Sequence, residues 1–205
     1  GRGGAPLRGG WLRFFPFNQP RQQEANLWAL VAWARGTVDP ALVNRGSAVL
    51  LVAGLGVIAL LLAWARLRAA GPGPDLLLPS ATMSLGWWFF INKVYSPQYS
   101  LWLVVLLALL GAPTLLAVAF NLADFAWFVA ILLAVAERGW GDWMHAPVLL
   151  PPLAIREVAI LAVIAWAGGR LLRAGFPARQ RSRPGPETLG PPAVSDAPTR
   201  MLAEG

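Results

Sequence analysis

The sequence predicts an all-α, polytopic membrane protein with about five membrane segments, and three observations carry that reading. Of its 205 residues, 57% are hydrophobic and only 13% are charged. The apolar residues gather in runs close to the ~20 residues that cross a hydrocarbon core as a helix. The net charge of +7 lies largely on arginines at the ends of those runs and in the tail, where basic residues orient a membrane protein rather than bind nucleic acid. The chain has no cysteine and a single histidine, His145. That excludes a disulfide framework, a thiolate metal site and a histidine metal cluster. No metal motif, phosphate-binding glycine loop or nucleophile elbow is present, so nothing supports soluble nucleotide-dependent chemistry.

Residues 1–19 are rich in Gly and Arg and then aromatic at Trp11, Phe14, Phe15 and Phe17, which suits a loop returning to the membrane interface. The chain opens on Gly1 without the continuous apolar stretch of a secretory signal. We expect a C-terminal piece of a longer polytopic protein, inactive alone. Pro20 can open a helix and Gly36 can close it, so residues 21–35 read as a short helix lying along the surface. At about 100° per residue, Arg21, Glu24, Trp28, Val31 and Arg35 fall on one stripe. Its opposite side is not cleanly polar. Residues 1–46 thus form an extracytoplasmic loop with an interfacial helix.

Residues 47–65 form the first clear span, ended by Arg66 and Arg68. The Gly71-Pro-Gly-Pro74 turn leads into a second span, 76–91, with Pro79 near its start. A third segment, 97–110, is followed by Gly111-Ala-Pro113, which should break the helix. Residues 114–136 form a full-length span and 151–168 the last. Together 47–169 make the membrane domain, and the Pro- and Arg-rich tail 170–205 reads as disordered.

Arg170, Arg173, Arg179, Arg181 and Arg183 follow the last span closely, which places the tail in the cytoplasm. Five crossings then put residues 1–46 outside and Arg66 and Arg68 inside. The same parity sets residues 92–99 on the extracytoplasmic side, facing the Arg21 segment.

That string holds the only lysine of the chain, Lys93, between the apolar runs 85–91 and 101–107. A cation there is costly unless a partner or an anion compensates it. The flanking segments are short. Fourteen residues at 97–110 make about 21 Å of helix against a hydrocarbon core of about 30 Å, so the hairpin tip should sink below the outer surface. Irregular backbone at that depth must be buried in protein or line a wet cavity. Asn92, Lys93, Ser96, Gln98 and Tyr99 form either an anion- and hydroxyl-binding tip, with Lys93 on a phosphate, or a Pro turn beside a snorkelling lysine. Asn18, Arg21 and Glu24 supply a second cation and a carboxylate near it, or cap the surface helix. Asn121 and Asp124, one turn apart within a span, are functional groups or interhelical hydrogen-bonding partners. Arg156 and Glu157 read as an interface pair. His145 and Asp142, in a loop with Trp140 and Trp143, fit an aromatic belt better than a catalytic dyad.

The string Phe90-Ile-Asn-Lys-Val-Tyr-Ser-Pro-Gln-Tyr99, running into Leu101-Trp102-Leu103, closely resembles the Asn-Lys-Val-Phe-Ser-Pro-Gln-Tyr-Leu-Leu-Trp signature of membrane glycosyltransferases of the GT-C type. It looks most like glycosyltransferase family 87, the polyprenyl-phosphate-sugar-dependent mannosyl- and arabinofuranosyltransferases of actinobacterial envelopes. Phe17-Asn18, Arg21, Glu24, Leu27 and Trp28 resemble that family's aromatic, Asn, Arg and Leu-Trp segment, and Arg156 with a basic tail fits its last span. The likeness covers most of residues 11–173. Tyr95 stands where Phe is usual, and nothing matches the first extracytoplasmic loop that carries the family's catalytic acid.

The resemblance implies an inverting sugar transfer at the outer face, from a polyprenyl-phosphate donor to an envelope glycolipid or polysaccharide, with no cofactor. Lys93, with Arg21, would stabilise the departing phosphate. Asn92, Gln98 and Tyr99 would orient the donor, and a carboxylate upstream would take the acceptor proton. The rival expectation is a non-enzymatic polyprenyl-phosphate binder or transporter built on the same broken hairpin.

Overall fold

The computed structural model describes residues 27–36, 38–68, 75–92, 94, 97–142 and 146–176. Among them are six α-helices, one short 3-10 turn and no strand. Three helices are long and apolar enough to cross a membrane, and two more are apolar but shorter. The architecture is that expected of a helical membrane protein.

Helix α1, Leu27–Arg35, ends at Gly36, whose φ of 89° is the left-handed conformation that glycine adopts without cost. Helix α2 runs Pro40–Arg68, starting before the expected residue 47. Asp39 explains the difference: its Oδ1 accepts the Ala41 N–H at 2.8 Å, and Pro40 occupies the first turn, where its missing N–H costs nothing. Asp75 likewise receives the Leu77 N–H at 3.0 Å and opens α3, Leu77–Ile91. Within α3 the Ser80 and Thr82 hydroxyls donate to the Leu76 and Leu78 carbonyls at 2.7 and 2.8 Å, so neither is left bare in apolar surroundings.

Helix α4, Pro97–Leu109, stops where the sequence demands. Ala112 N–H donates to the Leu107 carbonyl and Gly111 N–H to that of Ala108, a Schellman closure with Gly111 in the left-handed region. Helix α5 extends Thr114–Asp142 with a break at Gly139, beyond the expected end at 136. The turn Pro147–Leu149 leads into α6, Leu150–Gly175. Arg170 and Arg173 therefore belong to the last turns of a helix, which corrects the reading of a disordered tail from residue 170.

Helix α6 is the central element. It packs most broadly on α3, then on α5 and α2, with α1 across its beginning. Three apolar clusters follow its length. Trp127, Ala130 and Ala134 of α5 meet Leu149 and Leu153 at one end, with Ala29 and Leu30 of α1 against them. Phe89, Leu103, Leu107, Phe120, Ile160 and Val163 fill the middle. Ile58, Ala65, Met83, Ala167 and Leu171 close the other end. Gly54 lets α2 approach α3 so closely that a methyl there would overlap the Trp87 indole, whose Nε1–H donates to the Leu50 carbonyl at 2.8 Å. Val49, Val52, Val57 and Leu60 of α2, and Leu101, Val105 and Leu109 of α4, face outward, the pattern of side chains that meet acyl chains.

Candidate functional site

The helix contacts fix the depth of the α3–α4 tip. Ser47 Oγ–H donates to the Ile91 carbonyl at 3.2 Å, so α3 ends level with Ser47, and α2 continues about two turns, or ~10 Å, beyond it. On α6, a Cβ at Gly86 would lie 2.9 Å from Ile164, and one at Gly168 would lie 3.3 Å from Met83. Counting along these antiparallel helices brings Asn92 level with Glu157, again ~10 Å below the first residue of α6. The end of α3 thus lies in a recess, about two turns below the starts of the longer helices α2 and α6. Helix α1 touches α6 and α3, and its Trp28 packs on Gly46 of α2, which sets it across the same end.

Asn92 caps α3 with its N–H on the Trp88 carbonyl at 2.8 Å. Its side-chain Nδ2–H donates to the Val94 carbonyl at 3.0 Å, so part of this amide holds its own chain in the turn that leaves the helix. Tyr99 is half-buried in an aromatic nest, with ring centroids 5.1 Å from Trp88, 6.0 Å from Phe89 and 5.8 Å from Trp102. Gln98 is exposed at the start of α4. The structure brings Asn92, Gln98 and Tyr99 to one end of the hairpin. Lys93, Ser96, Asn18, Arg21 and Glu24 lie outside the described residues, as do the side chains of Asp142 and His145.

Compared with models of protein families, with curated proteins and with solved structures, the chain matches none.

Level with the end of α3 lies a buried polar cluster whose members come from two separate helices. Arg156 and Glu157 do pair, but inside the bundle rather than at its surface: they are 3% and 2% exposed. Arg156 Nε–H donates to Asp124 Oδ1 at 2.8 Å and its Nη1–H to Glu157 Oε1 at 2.8 Å. Asp124 is thus an interhelical partner, the second of the two roles open to it. Asn121, open to the same two roles, is exposed and returns its Nδ2–H to the Ala117 carbonyl at 2.7 Å. One helical turn swings it about 60° away from Asp124's face. Arg and Glu adjacent at the start of a helix look like a surface pair in sequence. The signal that could have joined them to Asp124 is that each falls within an apolar run, where a charge needs a partner on another helix.

Among the described residues, two buried oxygens in this region make no hydrogen bond within the protein, Ser100 Oγ and Glu157 Oε2. Ser100 lies in the first turn of α4, directly after Tyr99, and the sequence reading passed over it. Among the described residues no three His, Asp or Glu side chains gather as a metal site.

Far from the tip, Arg68 lies over the Trp64 ring at 5.5 Å and Arg170 over that of Trp166 at 5.7 Å. Trp64 packs on Gly175, so the basic ends of α2 and α6 share the end of the bundle opposite the recess.

Proposed function

We propose that the chain takes part in transferring a sugar, mannose or arabinofuranose, from a polyprenyl-phosphate donor to an envelope glycolipid or polysaccharide at the extracytoplasmic face. The observation that carries the reading is the position of the α3–α4 tip. The polar string 92–99 begins ~10 Å below the neighbouring helix ends, at a depth suited to a phosphate whose lipid tail stays among acyl chains. The opposite end of the bundle carries Arg66, Arg68, Arg170 and Arg173, which supports a cytoplasmic assignment for that end and an outer one for the recess.

In this reading the acceptor oxygen bonds to the sugar's anomeric carbon as the bond from that carbon to the phosphate oxygen breaks. Negative charge grows on the departing phosphate, and Lys93, with Arg21, stabilises it. Tyr99 and Gln98 orient the donor. Asn92, which caps α3, helps to orient the donor. Asn18, Glu24 and Ser96 complete the polar lining. The acceptor proton passes to a carboxylate that the family resemblance places upstream of this region.

The test is transfer of labelled sugar from a polyprenyl-phosphate donor in membranes holding the full-length protein, compared with Lys93→Ala and Lys93→Arg. We expect Lys93→Ala to lower transfer ~100-fold or more at equal protein level, and Lys93→Arg to keep part of it. Undiminished activity in Lys93→Ala would remove the leaving-group role. No transfer from any wild-type preparation would favour a lipid-phosphate binder or transporter.

A further inference from the structure

The end of the bundle opposite the recess is uneven as well. Helices α5 and α6 join at Asp124 and Arg156, and equal counts along each from that contact, about 15 Å, bring Thr114 at the start of α5 level with Trp166 of α6. Ala112 of the α4–α5 turn, Leu116 and Trp166 pack around one buried cluster, which puts the turn near that height. Helix α6 runs on to Gly175, about 13 Å further. Its last turns therefore extend past the α4–α5 hairpin.

Two arginines occupy that stretch. Arg170 and Arg173 are both exposed and lie on neighbouring turns, with Cβ atoms ~5–6 Å apart. The Arg170 guanidinium lies over the Trp166 ring, 5.7 Å from its centroid. That of Arg173 reaches back in the same direction, its Nη1 3.6 Å from the place a Cβ would take at Gly169. Helical side chains lean toward the N-terminus, and both cations follow that lean by a full turn. Rows 166–170 and 169–173 are ~60° apart around the helix, so the two guanidinium forks lie side by side. The indole face holds one of them by cation–π attraction, which leaves its N–H edge free to bind.

Depth and charge set this pair apart from a general basic collar. A Cβ at Gly175 would overlap the Trp64 ring, so these residues are level, and Arg66, which ends the apolar run of α2, lies beyond both. Arg170 is thus about 10 Å nearer the bundle's middle than Arg66. In a bilayer a charge drawn in that far needs a compensating partner. Among the described residues neither arginine pairs with a carboxylate. Helix α4 is uncharged, as is α5 up to Asp124. Asp75, the one acid at this end among the described residues, caps α3 by accepting the Leu77 N–H. The flank of the hairpin is apolar and exposed at Leu109 and Leu115.

We propose that Arg170 and Arg173 bind the phosphate of an anionic membrane lipid beneath the α4–α5 turn. Two neighbouring forks present N–H donors to the phosphate oxygens, and the acyl chains continue along Leu109 and Leu115. A lipid fits where a free anion does not, because it brings negative charge to this depth together with chains that cover the flank. The site is at the end opposite the α3–α4 tip and stands whether or not the protein transfers sugar.

Native mass spectrometry of the full chain in detergent, titrated with phosphatidylglycerol and with phosphatidylcholine, tests it. We expect wild type to prefer phosphatidylglycerol, and the double change Arg170→Gln, Arg173→Gln to weaken its binding about 30-fold. The double change Arg66→Gln, Arg68→Gln should weaken it no more than about fivefold. Equal losses in the two double variants would reveal a diffuse basic collar and overturn the proposal. So would a wild type without preference, or undiminished binding in Arg170→Gln, Arg173→Gln. Displacement of the lipid by inorganic phosphate at equal concentration would make a free anion the ligand, which also overturns it. Should the double variant fail to fold, Arg173→Gln alone, which leaves Arg170 on Trp166, must weaken binding about fivefold, and unchanged binding there overturns the proposal.

Discussion

Arg156 reaches from α6 to Asp124 on α5 at 2.8 Å, with side chains only 4% and 11% exposed, and so joins two apolar helices through a buried charge pair. Removing one partner strands the other. We expect Arg156→Met to destabilise the protein by about 3–5 kcal/mol, and the triple change Arg156→Met, Asp124→Leu, Glu157→Leu to recover most of that loss. Thermal unfolding in detergent compares the two directly. A triple variant no more stable than Arg156→Met would mean that the cluster holds the helices in a way apolar packing cannot replace.

The α2–α3 contact makes a second prediction. Trp87 fits against Gly54 and donates to the Leu50 carbonyl at 2.8 Å. Gly54→Ala should force the indole aside and cost about 1–3 kcal/mol, whereas Trp87→Phe should lose chiefly the hydrogen bond, about 1 kcal/mol. Equal melting temperatures for Gly54→Ala and wild type would show that α2 can move away freely.

At the tip, Tyr99 has separable roles. Tyr99→Phe keeps the rings of Trp88, Phe89 and Trp102 in contact and removes only the hydroxyl. Under the proposed transferase activity we expect a raised KM for donor, or a lowered kcat, with unchanged thermal stability. Tyr99→Ala should lower stability as well, by roughly 1–3 kcal/mol for a half-buried aromatic. A Phe variant with wild-type kinetics would confine Tyr99 to packing.

The recess can be measured as a depth. A spin label at Asn92 should lie further from the aqueous phase than one at Leu42, which is 58% exposed near the start of α2, by roughly 7 Å. Oxygen and nickel-chelate accessibilities read this in lipid. Equal depths would mean that the α3–α4 tip is flush with its neighbours.

Much of the fold was legible because the bilayer dictates it. Gly36, Gly111 with Pro113, and the arginines after residue 65 each punctuate a helix at the place expected, since their effects are local to the backbone or to the interface. The start of α2 is also written locally, in Asp39-Pro40, ahead of the apolar run 47–65 that marks the span. The site was less legible. That Asp124 meets Arg156 depends on how α5 and α6 are rotated about their axes, which neither chain segment encodes by itself. Asn121 and Asp124 look equivalent in sequence and end on different faces. The paired acids and the shared guanidinium emerge only when the helices are packed.

The α4 helix has 13 residues, a rod of about 20 Å, and it packs against α3 and α5, the latter running 26 residues to Gly139, or about 39 Å. Leu101, Val105 and Leu109 along its length face outward. Lipid next to α4 is therefore mismatched: its tails must tilt or compress to match a short apolar wall. A bilayer that thins along that flank lowers the work of drawing a headgroup inward, so under the proposed function the α4 side is where a lipid-linked donor would enter. Such a protein should also sort toward thinner bilayers, since a thick one strains against its shortest helix.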